Sequence, residues 1–110
     1  MFKQGDFVSV TFPFTNAREF RKRPALVISN EKINQTGDYL LVQITSKIKK
    51  DGLSLILNDE DYSNLILPLK SYVRIHKIFL LNEALINKKI SAVTINFRRS
   101  LIKRITEIIN

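Results

Sequence analysis

Residues 21–29 read RKRPALVIS, and this stretch decides the fold. Three adjacent cations, Arg21, Lys22 and Arg23, run straight into Pro24. Proline holds the preceding residue in an extended conformation and has no backbone N–H to donate. Ala25, Leu26, Val27 and Ile28 then form an unbroken apolar run, too short for a helix and rich in β-branching. Such a run is predicted to be a strand buried on both faces. Arg23 therefore stands where an exposed basic loop enters the core. A cation held at a rigid strand entrance is what a phosphate site needs. A solvated basic loop is the plainer reading of the same three residues.

Outward from this strand the pattern stays β-rich. Gly5-Asp6 makes a turn, and residues 7–12 alternate, with Val8, Val10 and Phe12 on one face of a half-buried strand. Pro13 ends that strand, and a loop carrying the aromatic residues Phe14 and Phe20 follows. Each phenylalanine is either a core plug or a surface on which a base could stack. Residues 30–38 read as a polar loop, and YLLVQIT, residues 39–45, as a central strand running into the basic loop 47–50. Residues 53–57 are a further strand, followed by an acidic turn with Asp59, Glu60 and Asp61. Residues 65–81 divide into a short strand before Pro68, then 71–75, then 77–81. A turn at 82–86 precedes a last short strand at 87–90.

The period changes at the C-terminus. Ile95, Phe97, Leu101, Ile102, Ile105, Ile108 and Ile109 share one broad helical face, with Thr94 as the natural N-cap. Arg98 falls inside that apolar stripe without an evident reason. Nothing repeats, and no linker divides the 110 residues, so one domain over residues 1–110 is expected.

A hydrophobic content of 45% suits a packed core. With no cysteine and one histidine, disulfides and the usual cysteine or multi-histidine metal sites are excluded within the chain. No cofactor is implied. The longest apolar stretch is far short of a membrane span, and the first residues lack a signal-peptide pattern, so a cytoplasmic protein is expected. The net charge of +8 points to anionic partners. Residues 1–69 carry nine Lys/Arg against eight Asp/Glu, whereas residues 70–110 carry nine against two. Within the first part, Arg18 joins Arg21, Lys22 and Arg23 in one basic cluster, and Lys47, Lys49 and Lys50 form another.

GDFVSVTFPFT at 5–15 and KRPALVIS at 22–29 resemble the opening of the PemK/MazF family of type II toxin-antitoxin toxins, in its PemK-like branch. The resemblance continues through LVQITSK at 41–47, SYVRIHKIFLL at 71–81, NKKI at 87–90 and the terminal helix. It implies a mainly β (α+β) fold: a small SH3-like barrel of the PemK/CcdB type with a C-terminal helix. It implies a homodimeric, metal-independent endoribonuclease that cuts single-stranded RNA (mRNA) at short sequences. It also implies a cognate antitoxin whose acidic, flexible segment covers the RNA groove. By position, Arg23 and Thr45 are the catalytic pair, with Ser46 beside them. Arg74 matches an arginine used by one branch, and His76 stands where that branch places a carboxylate. Phe14, Arg18, Arg21, Lys22, Lys47 and Lys49 are the expected RNA-binding residues.

These residue types suit metal-free RNA cleavage, in which the substrate's 2′-hydroxyl attacks its own phosphate. That reaction needs charge stabilisation, a proton acceptor and a proton donor. Arginine offers a planar two-donor clamp that lysine cannot reproduce. Threonine and arginine are both poor bases, so the acceptor is not obvious; histidine is the side-chain type that ordinarily titrates near neutrality. The loop before Arg-Pro, residues 16–22, lacks the glycines common in the family. Glu19 is the loop carboxylate nearest to a position some relatives use. Two alternatives stay open at this point: a non-catalytic gyrase poison of the CcdB kind, and an inactive RNA-binding barrel.

Overall fold

The computed structural model describes residues 1–13 and 20–110. Along them the chain forms β1 (Asp6–Pro13), β2 (Phe20–Val27), α1 (Glu31–Asn34), β3 (Asp38–Thr45), β4 (Ser54–Leu57), β5 (Ser71–Asn82), β6 (Ile86–Ala92) and α2 (Ile95–Ile109). Short 3-10 turns at Asp59–Asp61 and Glu83–Leu85 precede β5 and β6. The strands make one antiparallel six-stranded sheet in the order β4-β5-β3-β2-β1-β6. Its two edges come together: Tyr62, just past β4, bridges Val93, just past β6, and the Ser63 N–H donates to the Ala92 carbonyl at 2.9 Å. The curled sheet is thus tied into a small barrel.

β2 and β3 sit at its centre because their side chains are apolar on both faces. Leu26, Val42 and Ile44 pack with Phe7, Leu57, Val73 and the helix residues Phe97, Leu101 and Ile105. Ala25, Val27, Tyr39 and Leu41 face the other way, into a second cluster with Val8, Val10, Leu81 and Ile86. Burying a side chain of the Leu26 kind stabilises the fold by about 1.5–3 kcal/mol. The buried seam of α2 is narrower than its apolar stripe. Phe97, Leu101 and Ile105, each four residues apart, are buried, whereas Ile95, Ile102, Ile108 and Ile109 are exposed. Thr94 caps the helix as its position suggests, its Oγ1 accepting from the Phe97 N–H at 3.1 Å.

Four elements differ from the sequence-based expectation. β2 begins at Phe20, so the basic residues 21–23 lie within the strand rather than in a loop. Pro24 pairs with Ser9 of β1, and the ladder to β3 starts only at Ala25, one residue past the missing N–H. The polar stretch 30–38 contains the one-turn helix α1, with Asn30 as its side-chain cap. Residues 65–67 form no strand: Leu67 packs against the core, Leu65 and Ile66 are exposed, and the Ser91 hydroxyl binds the Leu65 carbonyl. Residues 71–82 are one strand, not two. Val73 lies across from Ile44 but Ile78 across from Val42, so residues 74–77 bulge out and bend β5 sharply.

Arg98 and the acidic turn now have structural roles. The Arg98 guanidinium donates to the Gln4 carbonyl at 3.0 Å and packs over Gly5, whose φ of 94° favours glycine. The Asp61 carboxylate accepts from the Asn58 N–H at 2.8 Å, and the Asp61 carbonyl accepts from Thr94 at the start of α2, also at 2.8 Å. The acidic turn therefore ties the end of β4 to the helix.

Candidate nucleic-acid interface

The β2–β3 register puts Ala25 across from Gln43. Side chains two residues apart share a face of a strand, so Arg23 follows Ala25 and Thr45 follows Gln43 on that face. Arg23 and Thr45 do line one groove, of about 640 Å³. Its floor includes Pro24 and Gln43, and Ser46, Lys47 and Lys49 continue one side. Leu67, Pro68 and Leu69 form an apolar wall, and Lys77 reaches in from the β5 bulge. A second cavity of about 440 Å³ shares Arg23, Pro24, Gln43 and Lys77 with the first and ends at Phe12 and Phe79. The two make one continuous trough, whose described lining includes the cations Arg23, Lys47, Lys49 and Lys77 and no carboxylate or imidazole.

Thr45 ends β3, and the loop beyond it turns back so that the Lys47 N–H donates to Thr45 Oγ1 at 3.1 Å. One lone pair of that oxygen is thereby engaged, and the hydroxyl proton is directed elsewhere. Ser46, Lys47 and Lys49 are exposed, as groups meeting a solvated ligand should be.

The other sequence candidates lie apart from the trough's described lining. Arg74 is buried and turned into the fold. Its guanidinium grips Asp51 with two hydrogen bonds, 2.9 and 2.8 Å, and donates to Ser54 Oγ at 2.8 Å. Those bonds, with a further one from the Leu53 N–H, hold the Asp51 carboxyl well below the usual carboxylate range. The same hydrogen bonds raise the Arg74 guanidinium further above its ordinary value. The pair anchors the loop between β3 and β4 that carries Lys47 and Lys49. Arg104 of α2 supports that loop from the other side through the Gly52 carbonyl at 3.1 Å. His76 is exposed on the bulge of β5, and Arg21 and Lys22 are exposed along β2. Phe14, Arg18 and Glu19 fall outside the described residues.

Gln43 and Lys77 are two groove residues that sequence reading passed over. Gln43 had a signal: it is the one polar residue inside YLLVQI, two positions before Thr45 and so on the same face. Lys77 had none, because only the bulge brings it to Arg23.

Among the described residues, no three His, Asp or Glu side chains gather where they could hold a metal ion. Nor is any described helix long and apolar enough to cross a membrane.

Residues 3–109 match the family model of the PemK-like, MazF-like toxin of type II toxin-antitoxin systems. Among solved structures, the fold is similar to an endoribonuclease in complex with its cognate antitoxin from a mycobacterial species. That match has 18% identity and a TM-score of 0.78, over 97% of this chain and 93% of that one. The MazE-MazF structure (Form-II) from Deinococcus radiodurans matches at 18% identity and a TM-score of 0.78, over 97% and 94%. The Mycobacterium tuberculosis toxin MazF-mt6 matches at 12% and 0.72, over 93% of each chain. At such identities these likenesses show the fold. No curated protein matches significantly by sequence.

Proposed function

The chain belongs to the PemK-like, MazF-like toxins of type II toxin-antitoxin systems, and from that premise we propose that it is a sequence-specific endoribonuclease of single-stranded RNA, mRNA in particular. The observation that carries the reading is the meeting of Arg23, Thr45 and three lysines along one trough. A phosphodiester strand laid there would have its charge met on both sides.

In the reaction, the substrate's 2′-oxygen bonds to the adjacent phosphorus as the bond from phosphorus to the 5′-oxygen breaks. One proton leaves the 2′-hydroxyl and one reaches the 5′-oxygen, giving a 2′,3′-cyclic phosphate and a 5′-hydroxyl. Arg23 stands on a central strand, next to a residue whose φ is fixed, and can present two parallel N–H groups to the phosphorane oxygens. Thr45, with its oxygen engaged by the Lys47 N–H, can donate its hydroxyl proton to the same charge. Lys47 and Lys49 hold the neighbouring phosphates, placing the strand without selecting its bases. The described lining thus supplies charge stabilisation and positioning, not a carboxylate or imidazole base.

The same cations would receive the acidic, flexible segment of a cognate antitoxin, which would block the trough. Two of the similar structures hold a toxin with its antitoxin, which supports this partner. A cytoplasmic homodimer completes the reading.

The test is digestion of a mixed RNA pool by the pure chain in EDTA, with the ends of the products mapped. Removing Arg23 as Arg23→Ala should lower the rate on the order of a hundredfold or more, as for other preorganised donors, with the fold intact by circular dichroism. One deoxyribose placed just 5′ of the cut phosphate should stop cleavage while binding persists. A folded Arg23→Ala that cuts at the wild-type rate, or a deoxy-substituted strand cut at the same bond, would overturn the mechanism.

A further inference from the structure

The smaller cavity beside Arg23 differs in character from the groove holding Thr45. Its far end is aromatic: the rings of Phe12 and Phe79 meet edge to face, with centroids 5.0 Å apart and planes at 76°. Val10, Pro24 and Ile78 complete an apolar surround. At its mouth stand Arg23 and Lys77, the two cations it shares with the larger groove. Gln43 is the one uncharged polar side chain in its described lining. Its backbone is fixed in the β2–β3 ladder, the residue is half-buried, and its amide makes no hydrogen bond among the described residues.

These features fit a particular ligand. A volume of about 440 Å³ falls within the range of about 300–1,000 Å³ typical of small-ligand pockets. An apolar, aromatic pocket that opens onto two cations suits a flat ring joined through a sugar to a phosphate. An amide offers two donors and two acceptors to the edge of such a ring. In single-stranded RNA the unstacked bases are read in this manner: stacked on aromatic side chains and hydrogen-bonded along their free edges.

We propose that this cavity is a nucleobase subsite, and that Gln43 is the residue that selects the base beside the cleaved phosphate. Arg23 and Lys77 hold the phosphate at the cavity mouth. The base of the nucleotide that carries that phosphate turns away from Thr45, rests against the Phe12–Phe79 wall and meets the Gln43 amide. The bulge in β5 is what brings Lys77 to this point. The inference rests on the ribonuclease reading for its substrate, and it adds a residue and a pocket to which sequence choice is assigned.

Gln43→Leu keeps the side chain's size and removes its hydrogen bonds, so a folded variant is expected, with thermal melting as the check. Digestion of one RNA pool by wild type and variant should show a changed base preference at a single position next to the cut. The discrimination lost there should be roughly ten- to hundredfold, the scale of one well-formed pair of hydrogen bonds to a base. Preferences at the other positions should stay as they were. A preference profile unchanged at every position overturns the proposal, and so does a loss spread evenly over all positions. Binding is measured in parallel by fluorescence anisotropy, with 2′-O-methyl RNA oligomers that differ at one base. If the wild type cuts no RNA, so that the ribonuclease reading fails, the anisotropy series still decides the subsite. Discrimination among the four bases that disappears in Gln43→Leu supports it, and equal binding of all four by the wild type overturns it.

Discussion

The four cations along the trough set a numerical expectation for RNA binding. If Arg23, Lys47, Lys49 and Lys77 each neutralise one phosphate, four condensed counterion sites are released from the strand. For single strands each contributes about −0.7 to the slope of log affinity against log salt, giving a slope of about −2.8. Between 50 and 200 mM salt, a fourfold change, affinity should then fall about 50-fold, or roughly 2.3 kcal/mol. The double change Lys47→Ala, Lys49→Ala removes two of the four contacts. Its slope should halve to about −1.4, and the same salt step should cost only about sevenfold. Both lysines are exposed loop residues, so stability should be untouched. The assay is fluorescence anisotropy with a 2′-O-methyl RNA, which binds without being cut, across a salt series. A wild-type slope flatter than about −1 would refute the account, as would a double variant that keeps the wild-type slope.

Two further outcomes are expected. Static light scattering at micromolar concentration should give a mass of twice the 12.8 kDa chain; a strict monomer would remove the homodimer from the reading. Asp51→Asn should flatten the acid limb of the stability curve, measured as melting temperature from neutral pH downward. Because the Asp51 carboxyl is depressed in the fold, the stability it contributes is complete above its unfolded value near 3.8 and is lost as pH falls through the lower folded value. An unchanged acid limb in the variant would mean that the Asp51 carboxyl is not held low in the fold.

Much of the barrel was legible because its central strands are written as continuous apolar runs. ALVI and YLLV need cover on both faces, and only the middle of a curled sheet gives that. The division of β5 was misread for a physical reason. Strand pattern depends on which neighbour a residue faces, and β5 changes neighbours along its length. Residues 72 and 73 pair with both β4 and β3, whereas residues 78–82 pair with β3 alone. The polar stretch at 76–77 marks the bend between these parts, not the end of a strand. Leu65 and Ile66 misled in the opposite sense, being apolar residues without a ladder to join. The excess breadth of the α2 stripe has the same origin: periodicity reports which faces could be buried, and the barrel covers only the seam of Phe97, Leu101 and Ile105.

The site was legible to a different degree, and Arg74 explains why. Sequence places it two residues from His76 and within a block resembling the family pattern, which gives no hint of where its charge goes. Its partner, Asp51, is 23 residues away in another loop, and long-range ion pairs leave no local signature. Once paired, the guanidinium cannot turn outward without abandoning two charge-assisted hydrogen bonds to Asp51 and a third to Ser54. The bond therefore holds Arg74 in the fold, and the bulge that follows brings Lys77 to the trough instead. A single ion pair thus does two things for the candidate site. It fixes the start of the bend that delivers Lys77, and it tethers the loop that presents Lys47 and Lys49 beside Thr45. Two of the trough's lysines thus ride on a loop tied down by a carboxylate outside the trough's described lining.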